Sequence, residues 1–512
     1  MLPKICTHLA KQNVLVTGAT GFVGLALVEK LLRTVPNIGT IYLLIRPKHG
    51  KRVSERLEEI KESSIFERLI NSGHASALDK LVALDGFIDE ADYFGMSTKD
   101  TLKVLSNVNY VFHCAATLDF EANLKRAVNI NVLGTRNVVD LCKKLPELKV
   151  LVHVSSAYCN ADQPSANEIL YPPPENIQNV LELIHNLSNE ELANATKGVL
   201  KDHPNTYTFT KALAEHEVAK TFALFPSCII RPSMIVGAWK QPIPGWTNSK
   251  NGITGFLMCA GMGVVRRMPV AKDLVYDYIP IDLVVNTMIA GAVFTVIQQH
   301  HLLKTPIFQC TSSTQNPFRW AMVEHLVPGL LHKYPLVQAI WYPHLELVAS
   351  IRHYRISACI IHVIPAHIFD FLTRLSGGRP KLVKLHSTIN KSLDKLEPFI
   401  FKEWKFDNNE VRELHKYLIP EDKAVFGLDM ESLEWEPFFE DLAKGVRRYL
   451  HKEQDDTLEH ARKRDRRLKV ANIAVQLAIF ILLLALVQWL FDFHKGQVVV
   501  AIPFLYAFCC FF

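Results

Sequence analysis

Tyr207 and Lys211 stand four residues apart in the run Asn205-Thr206-Tyr207-Thr208-Phe209-Thr210-Lys211. On a helix that spacing puts both side chains on one face. A free phenol, with a pKa of about 10, is a poor acid or base at neutral pH. An ammonium beside it stabilises the phenolate and is expected to lower that pKa. Ser156, in Val154-Ser155-Ser156-Ala157, follows a β-branched run. It would lie just past a strand end, where ligands of parallel sheets bind. Its hydroxyl can hold a carbonyl oxygen. Tyr207, Lys211 and Ser156 are therefore the candidate catalytic residues, suited to moving a proton onto or off a carbonyl oxygen.

A second cluster lies near the start. Thr17-Gly18-Ala19-Thr20-Gly21-Phe22-Val23-Gly24 falls between an apolar run, Asn13 to Thr17, and a helical pattern from Phe22 to Arg33. Gly18 permits a tight turn, Gly21 lets the backbone approach a pyrophosphate, and Gly24 lets helix and sheet pack closely. The helix N-terminus then offers free N–H groups to phosphates. The next strand ends in Leu44-Ile45-Arg46-Pro47-Lys48, with two cations and no acid. That suits the 2′-phosphate of NADPH better than the bare ribose of NADH. The expected cofactor contacts are Gly18, Thr20, Gly21, Phe22 and Gly24 in the loop, Arg46 and Lys48 beyond the second strand, and Lys211 on the ribose.

The elements that position these residues alternate. Strand-like runs at Ile41–Ile45, Tyr110–His113, Leu151–Val154 and around Ile229-Ile230 are separated by helical patterns. This predicts an α/β fold, a Rossmann-type doubly wound parallel sheet over about residues 1–330. From 331 to 460 the pattern turns mainly helical. Within it Ala358–Leu372 is strongly apolar but interrupted by His362, Pro365, His367 and Asp370. A pair of core helices and a wall facing lipid both fit that stretch. Residues 461–512 form the third region. Arg462 to Lys469 is basic, and Val470 to Leu490 is a run of 21 residues without charge, the length of a transmembrane helix. The positive-inside rule keeps the basic run, and the catalytic part with it, in the cytosol. Val498 to Phe512 is apolar again. The start, Met1 to Lys11, is too polar for a signal peptide.

Composition excludes other classes. Apolar residues make up 49% and charged residues 21% of the 512, a globular balance with room for two or three domains. A net charge of +6, without a basic binding motif, gives no case for nucleic acid. The ten cysteines show no CxxC pair and no Cys/His ligand spacing, so no metal or disulfide framework is expected. Nothing in the sequence sets an oligomeric state.

The glycine loop, the serine pair and YxxxK together resemble the extended short-chain dehydrogenase/reductases. Further motifs resemble the fatty acyl-CoA reductases within that superfamily. These include His113-Cys114-Ala115-Ala116-Thr117-Leu118-Asp119-Phe120, Asn131-Val132-Leu133-Gly134-Thr135, Val152 to Asn160, Tyr171-Pro172-Pro173-Pro174 and Lys211-Ala212-Leu213-Ala214-Glu215. Arg231-Pro232-Ser233, Pro244-Gly245-Trp246, Ile279-Pro280-Ile281-Asp282 and Asn316-Pro317-Phe318 with Trp320 continue the likeness. The resemblance implies reduction of long-chain fatty acyl-CoA to fatty alcohol by NADPH, at a membrane of the endoplasmic reticulum or peroxisome. It adds Ala115 to the cofactor contacts. Two positions depart from the family pattern: Ser156 replaces a threonine, and Phe87 in Asp85-Gly86-Phe87 replaces an aspartate. The first keeps the hydroxyl, and the second removes a contact to the adenine edge unless Asp85 supplies it. About fifty residues between Ser156 and Tyr207, carrying Glu168, form an insert expected on the substrate side. A membrane-bound hydroxysteroid dehydrogenase and a catalytically silent acyl-CoA binder are the rival readings.

Overall fold

The computed structural model describes residues 4–48 and 50–491. The apolar run 498–512 lies outside them. Two compact units are present, each assembled from three stretches of chain. One takes residues up to 249, 274–319 and 402–438, and the other takes 250–273, 320–401 and 439 onward.

The first unit is built on seven parallel strands: β1 Val14–Thr17, β2 Ile41–Ile45, β3 Leu81–Asp85, β4 Tyr110–His113, β5 Val150–Val154, β6 Ser227–Pro232 and β7 Ile307–Cys310. Their order across the sheet is β3-β2-β1-β4-β5-β6-β7. The direction of winding reverses between β1 and β4, and the crevice outside that point is where open α/β sheets bind ligands. Strands β1, β2, β4, β5, β6 and β7 are buried at every position, as a sheet covered on both faces requires. Helix α1 Phe22–Thr34 leaves β1 through the glycine loop. Helix α2 Thr206–Ala219 carries Tyr207 and Lys211. Helix α3 Ile281–Gln298 is apolar on all sides, and 78% of it is buried. Its Gly291 lets it close on β7, since a Cβ there would lie 3.1 Å from the Phe308 ring.

The insert after Ser156 holds two helices, Ile177–Asn186 and Asn189–Leu200. Val180, Ile184 and Leu192 pack against Phe209 and Leu213 of α2, so these helices buttress the helix that carries Tyr207. Glu168, at the start of the insert, accepts the backbone N–H of Gln309 at 2.7 Å and also that of Glu410.

In the second unit, Ile351–Ala358, a π-turn at Cys359–Val363 and helix α4 Ile364–Leu375 run on continuously. Helix α5 Leu382–Ile400 follows. Only a third of the apolar window in 351–375 is buried, so the expectation of a core helix pair there does not hold. The last described helix is α6 Leu458–Phe491. Only 6% of its apolar window is buried, which excludes a core helix for Val470–Leu490. That run is long and apolar enough to cross a membrane.

Candidate active site and nucleotide cradle

Gly18 turns the chain at φ +73°, and a Cβ there would meet the backbone N of Ala115 at 2.7 Å. At Gly24 a Cβ would lie 2.4 Å from the Gly18 carbonyl oxygen. The loop therefore exists only with glycine at both points. Gly21 N–H donates to Gly18 O at 2.9 Å, and no side chain caps the N-terminus of α1. The first N–H groups of α1 thus meet an open, side-chain-free turn, which fits a pyrophosphate. Thr20 is exposed at the turn's rim. Phe22 is directed elsewhere: its ring stacks on Trp246 at 5.5 Å, which leaves its backbone as the part available to a cofactor.

A chain of hydroxyls and one imidazole holds this cradle. Ala115 N–H donates to Thr17 Oγ1 at 3.3 Å, and Thr17 Oγ1 lies 2.8 Å from His113 Nδ1. On its other side His113 Nε2 is 2.9 Å from Thr135 Oγ1, whose proton goes to Asn131 O at 2.6 Å. Since Thr135 spends its proton on Asn131, His113 must donate through Nε2 and accept at Nδ1. Burial, and then the charge of Lys211, hold this imidazole neutral, with its pKa lowered to about 3. The ring thus sets the spacing of β1 and β4 on which the Gly18–Ala115 contact depends.

Ser156 sits in extended conformation at the end of β5 and caps the following turn by accepting Tyr158 N–H at 3.2 Å. Its hydroxyl also acts on the Tyr207 phenol, opposing the rise in that group's pKa. Lys211, buried one turn further along α2, donates to the Val154 carbonyl at 2.6 Å. Phe120 covers the phenol, with ring centres 5.6 Å apart. The structure therefore brings Ser156, Tyr207 and Lys211 together at the C-terminal edge of the sheet, in the same unit as the cradle.

Burial dominates the electrostatics of the pair. Burial pushes the Tyr207 phenol up to about 12, and the Ser156 hydroxyl only partly opposes this. Burial pushes the Lys211 ammonium down to about 8.

Several contributors have no role that the sequence alone discloses, although Asn131, Glu215 and Arg231 lie within the family-like motifs. Asn131 lies in a π-turn, Asn129–Leu133, a distortion common at functional sites. Its amide accepts Thr117 N–H at 2.8 Å and donates to Thr210 Oγ1 at 3.0 Å. It thereby ties the loop after β4 to the helix of Tyr207. Glu215 pairs with Arg231 at 2.6 Å, both wholly buried. Arg231 also donates to the Asn167 and Ile169 carbonyls, at 3.1 and 2.9 Å. One guanidinium so joins β6, α2 and the insert. Beyond β2, Arg46 and Lys48 are exposed, and Arg56 of helix Val53–Lys61 donates to the Arg46 carbonyl. Three cations therefore gather where two were expected. Phe87 is part of a turn, its N–H donating to Phe94 O at 2.9 Å, and Asp85 beside it is exposed.

The match to known proteins covers nearly the whole chain. Two family profiles, both described as male sterility protein, match residues 16–288 and 361–453. A Drosophila melanogaster protein whose name makes it a candidate fatty acyl-CoA reductase is 47% identical over 506 residues, 98% of each chain. Fatty acyl-CoA reductase 1 of Mus musculus is 33% identical over 458 residues, 90% of this chain and 88% of that one. The chain belongs to the fatty acyl-CoA reductase family. As a member it is an oxidoreductase that uses a nicotinamide cofactor, and the cradle at Gly18–Gly24 fits one. Among solved structures, the terminal R domain of the myxalamid PKS-NRPS pathway superposes with a TM-score of 0.54 at 17% identity, over 86% of this chain and 90% of that one. The reductase domain of a Mycobacterium tuberculosis nonribosomal peptide synthetase gives 0.53 at 15% identity, over 86% and 92%. These two share the fold.

Proposed function

We propose that this reductase converts long-chain fatty acyl-CoA to fatty alcohol, by way of the aldehyde and with release of CoA. The observation that carries the chemistry is the partly buried Tyr207 phenol, one helical turn from Lys211 on α2, with the Ser156 hydroxyl acting on it. The cofactor, when bound, supplies hydride to the carbonyl carbon. Ser156 holds the thioester oxygen and fixes its distance from the phenol. Tyr207 donates its proton to that oxygen as negative charge develops there. Lys211, braced on the Val154 carbonyl, holds the cofactor's ribose and shares its charge with the site. As the C–S bond breaks and CoA thiolate leaves, the hydroxyl returns its proton to Tyr207, and a second equivalent of the cofactor would supply the hydride that reduces the resulting aldehyde beside the same three side chains.

NADPH is the proposed cofactor. Arg46, Lys48 and Arg56 gather beyond β2, and no acid stands at 46–48 to take ribose hydroxyls. Gly18, Thr20, Gly21, Gly24, Ala115 and the backbone of Phe22 complete the proposed contacts. Helix α6 supports a membrane anchor, with the basic run 462–469 on the cytosolic side and the endoplasmic reticulum or peroxisome as its home. An anchored site suits the chemistry, since long acyl chains partition into membranes and the alcohol is nearly insoluble.

The test is gas chromatography of lipids from cells expressing the full chain or its Tyr207→Phe variant, fed a range of fatty acids. The expected result is new fatty alcohols that vanish in the variant. A well-expressed, membrane-located protein yielding neither alcohol nor aldehyde would overturn the proposal.

A further inference from the structure

Helix α4 is apolar on the side that faces away from its own unit. Ile364, Ile368, Phe371, Leu372 and Leu375 are all at least half exposed, Leu375 the most at 69%. Their spacing of four, three, one and three residues draws one stripe along one face of a helix. A stripe this size on a helix without a partner marks an interaction surface. The opposite side is polar and occupied. His362 Nε2 accepts the backbone N–H groups of Arg266 and Arg267 at 3.0 and 3.2 Å. Asp370 accepts those of Lys381, Leu382 and Val383 at 3.0 to 3.1 Å, closing the start of α5. Buried polar anchors on one side and exposed apolar residues on the other describe a helix that lies on a surface. A spanning helix would be apolar all round.

Two observations name what covers the stripe. The first is charge. Residues 351–400 hold eight Lys or Arg and three Asp or Glu. One of those acids, Asp370, is spent on backbone amides. Arg374, Arg379, Lys381 and Lys384 are all exposed around the end of the stripe, where long basic side chains can reach anionic headgroups. The second is the position of α6. Asn472, the third residue of its uncharged run, is buried. It accepts from the Trp341 indole at 2.8 Å and from Arg266 at 3.4 Å. The other side of the Trp341 ring packs on Phe369 of α4, with centres 5.9 Å apart. Upstream, Asp465 meets His332 at 3.1 Å and Arg464 holds the Ala339 carbonyl. One indole thus separates the start of the uncharged run from helix α4, and all of these residues belong to one compact unit.

We propose that α4 is a second membrane contact: an in-plane helix whose stripe rests among the lipids of an anionic bilayer beside the point where α6 enters it. This rests on the reading of α6 as the anchor. Two contacts fix the orientation of the unit, whereas a lone span would leave it free to swivel. A second copy of the chain is the competing occupant, and the test separates the two.

The full chain is reconstituted into phosphatidylcholine vesicles with and without phosphatidylserine. It carries a genetically encoded environment-sensitive fluorescent amino acid at position 371, 482 or 303. Some lipids bear a nitroxide, either near the headgroup or deep in the acyl chain. The probe at 371 should be blue-shifted and quenched by the shallow nitroxide, more so with phosphatidylserine. The probe at 303, replacing the fully exposed Leu303 of the other unit, should stay unquenched. Quenching at 482 by the deep nitroxide without quenching at 371 overturns the proposal and leaves the anchor intact. No quenching at 482 overturns the anchor reading itself. A blue shift at 371 that grows with protein concentration, without lipid quenching, assigns the stripe to a second copy. A Phe371→Glu/Leu375→Glu variant should lose turnover several-fold on acyl-CoA carried in anionic vesicles, and keep it on detergent-dispersed substrate. Equal turnover in both would count against the proposal.

Discussion

Helices α3 and α6 are both long and apolar enough to cross a membrane, yet 78% of one and 6% of the other is buried. The difference lies in what each meets. At Gly291, α3 lies close against Phe308 of β7. Its one acid, Asp282, accepts three backbone N–H groups, from Trp239, Lys240 and Gln241, at 2.8 to 3.1 Å. Helix α6 makes polar contacts only up to Asn472, and nothing among the described residues covers the run beyond. Apolarity therefore states that a helix must be covered, while its partners decide whether protein or lipid does so.

The sharpest way to break this contrast is to disturb the interior that α3 shares. Arg231→Met strands Glu215 as a buried, uncompensated charge, at a cost of about 3–5 kcal/mol. A large fall in the denaturation midpoint in detergent should follow, and adding Glu215→Gln should recover much of it. Next comes the helix pair itself. Gly291→Leu drives a side chain into Phe308 and should destabilise by about 1–3 kcal/mol. Leu482→Arg in α6 should leave the midpoint unchanged and lower the membrane-bound fraction, as a central arginine adds about 3 kcal/mol to insertion. Equal melting shifts for these two substitutions would erase the distinction.

A third prediction reads the interior through pH. Lys211 has its pKa lowered to about 8, below the roughly 10.4 of the unfolded chain. The rate of reduction should fall as pH rises through about 8, when the ammonium is lost, while Tyr207 keeps its proton. Stability moves the opposite way. The unfolded chain holds this proton more tightly, so the cost of burying the cation is full below about 8 and fades as pH rises toward 10.4. A pH–rate profile beside a pH–stability curve checks both signs. The smallest effect belongs to the surface: Arg46→Ala should narrow the preference for NADPH over NADH by about tenfold, the size of one charge-assisted contact, read as the ratio of kcat/KM values.

Much of the site could be read from local pattern. The glycine loop, Ser156 at a strand end and the Tyr207–Lys211 pair are each written within eight residues, and the helix and strands that carry them obey simple periodicities. Strands β3 and β7 were not singled out. Leu81–Asp85 has partly exposed positions and ends in an acid, and Ile307–Cys310 is only four residues long. Nor could the phenol's raised pKa be read, because it arises from desolvation, which is a property of the fold. The roles of His113, Asn131 and Arg231 depend on partners 14 to 96 residues away. Arg56 lay hidden because its helix returns to Arg46 from ten residues downstream.

The interleaving of the two units has a consequence in time. The unit that holds the candidate site draws on residues 402–438, so it cannot close until residue 438 has been synthesised. Helix α6 begins at residue 458, twenty residues later. At about 5–20 residues per second, the ribosome crosses that gap in roughly one to four seconds. Completion of that unit and emergence of the long apolar helix are therefore nearly simultaneous events, and the order in which they finish is a race between folding and synthesis.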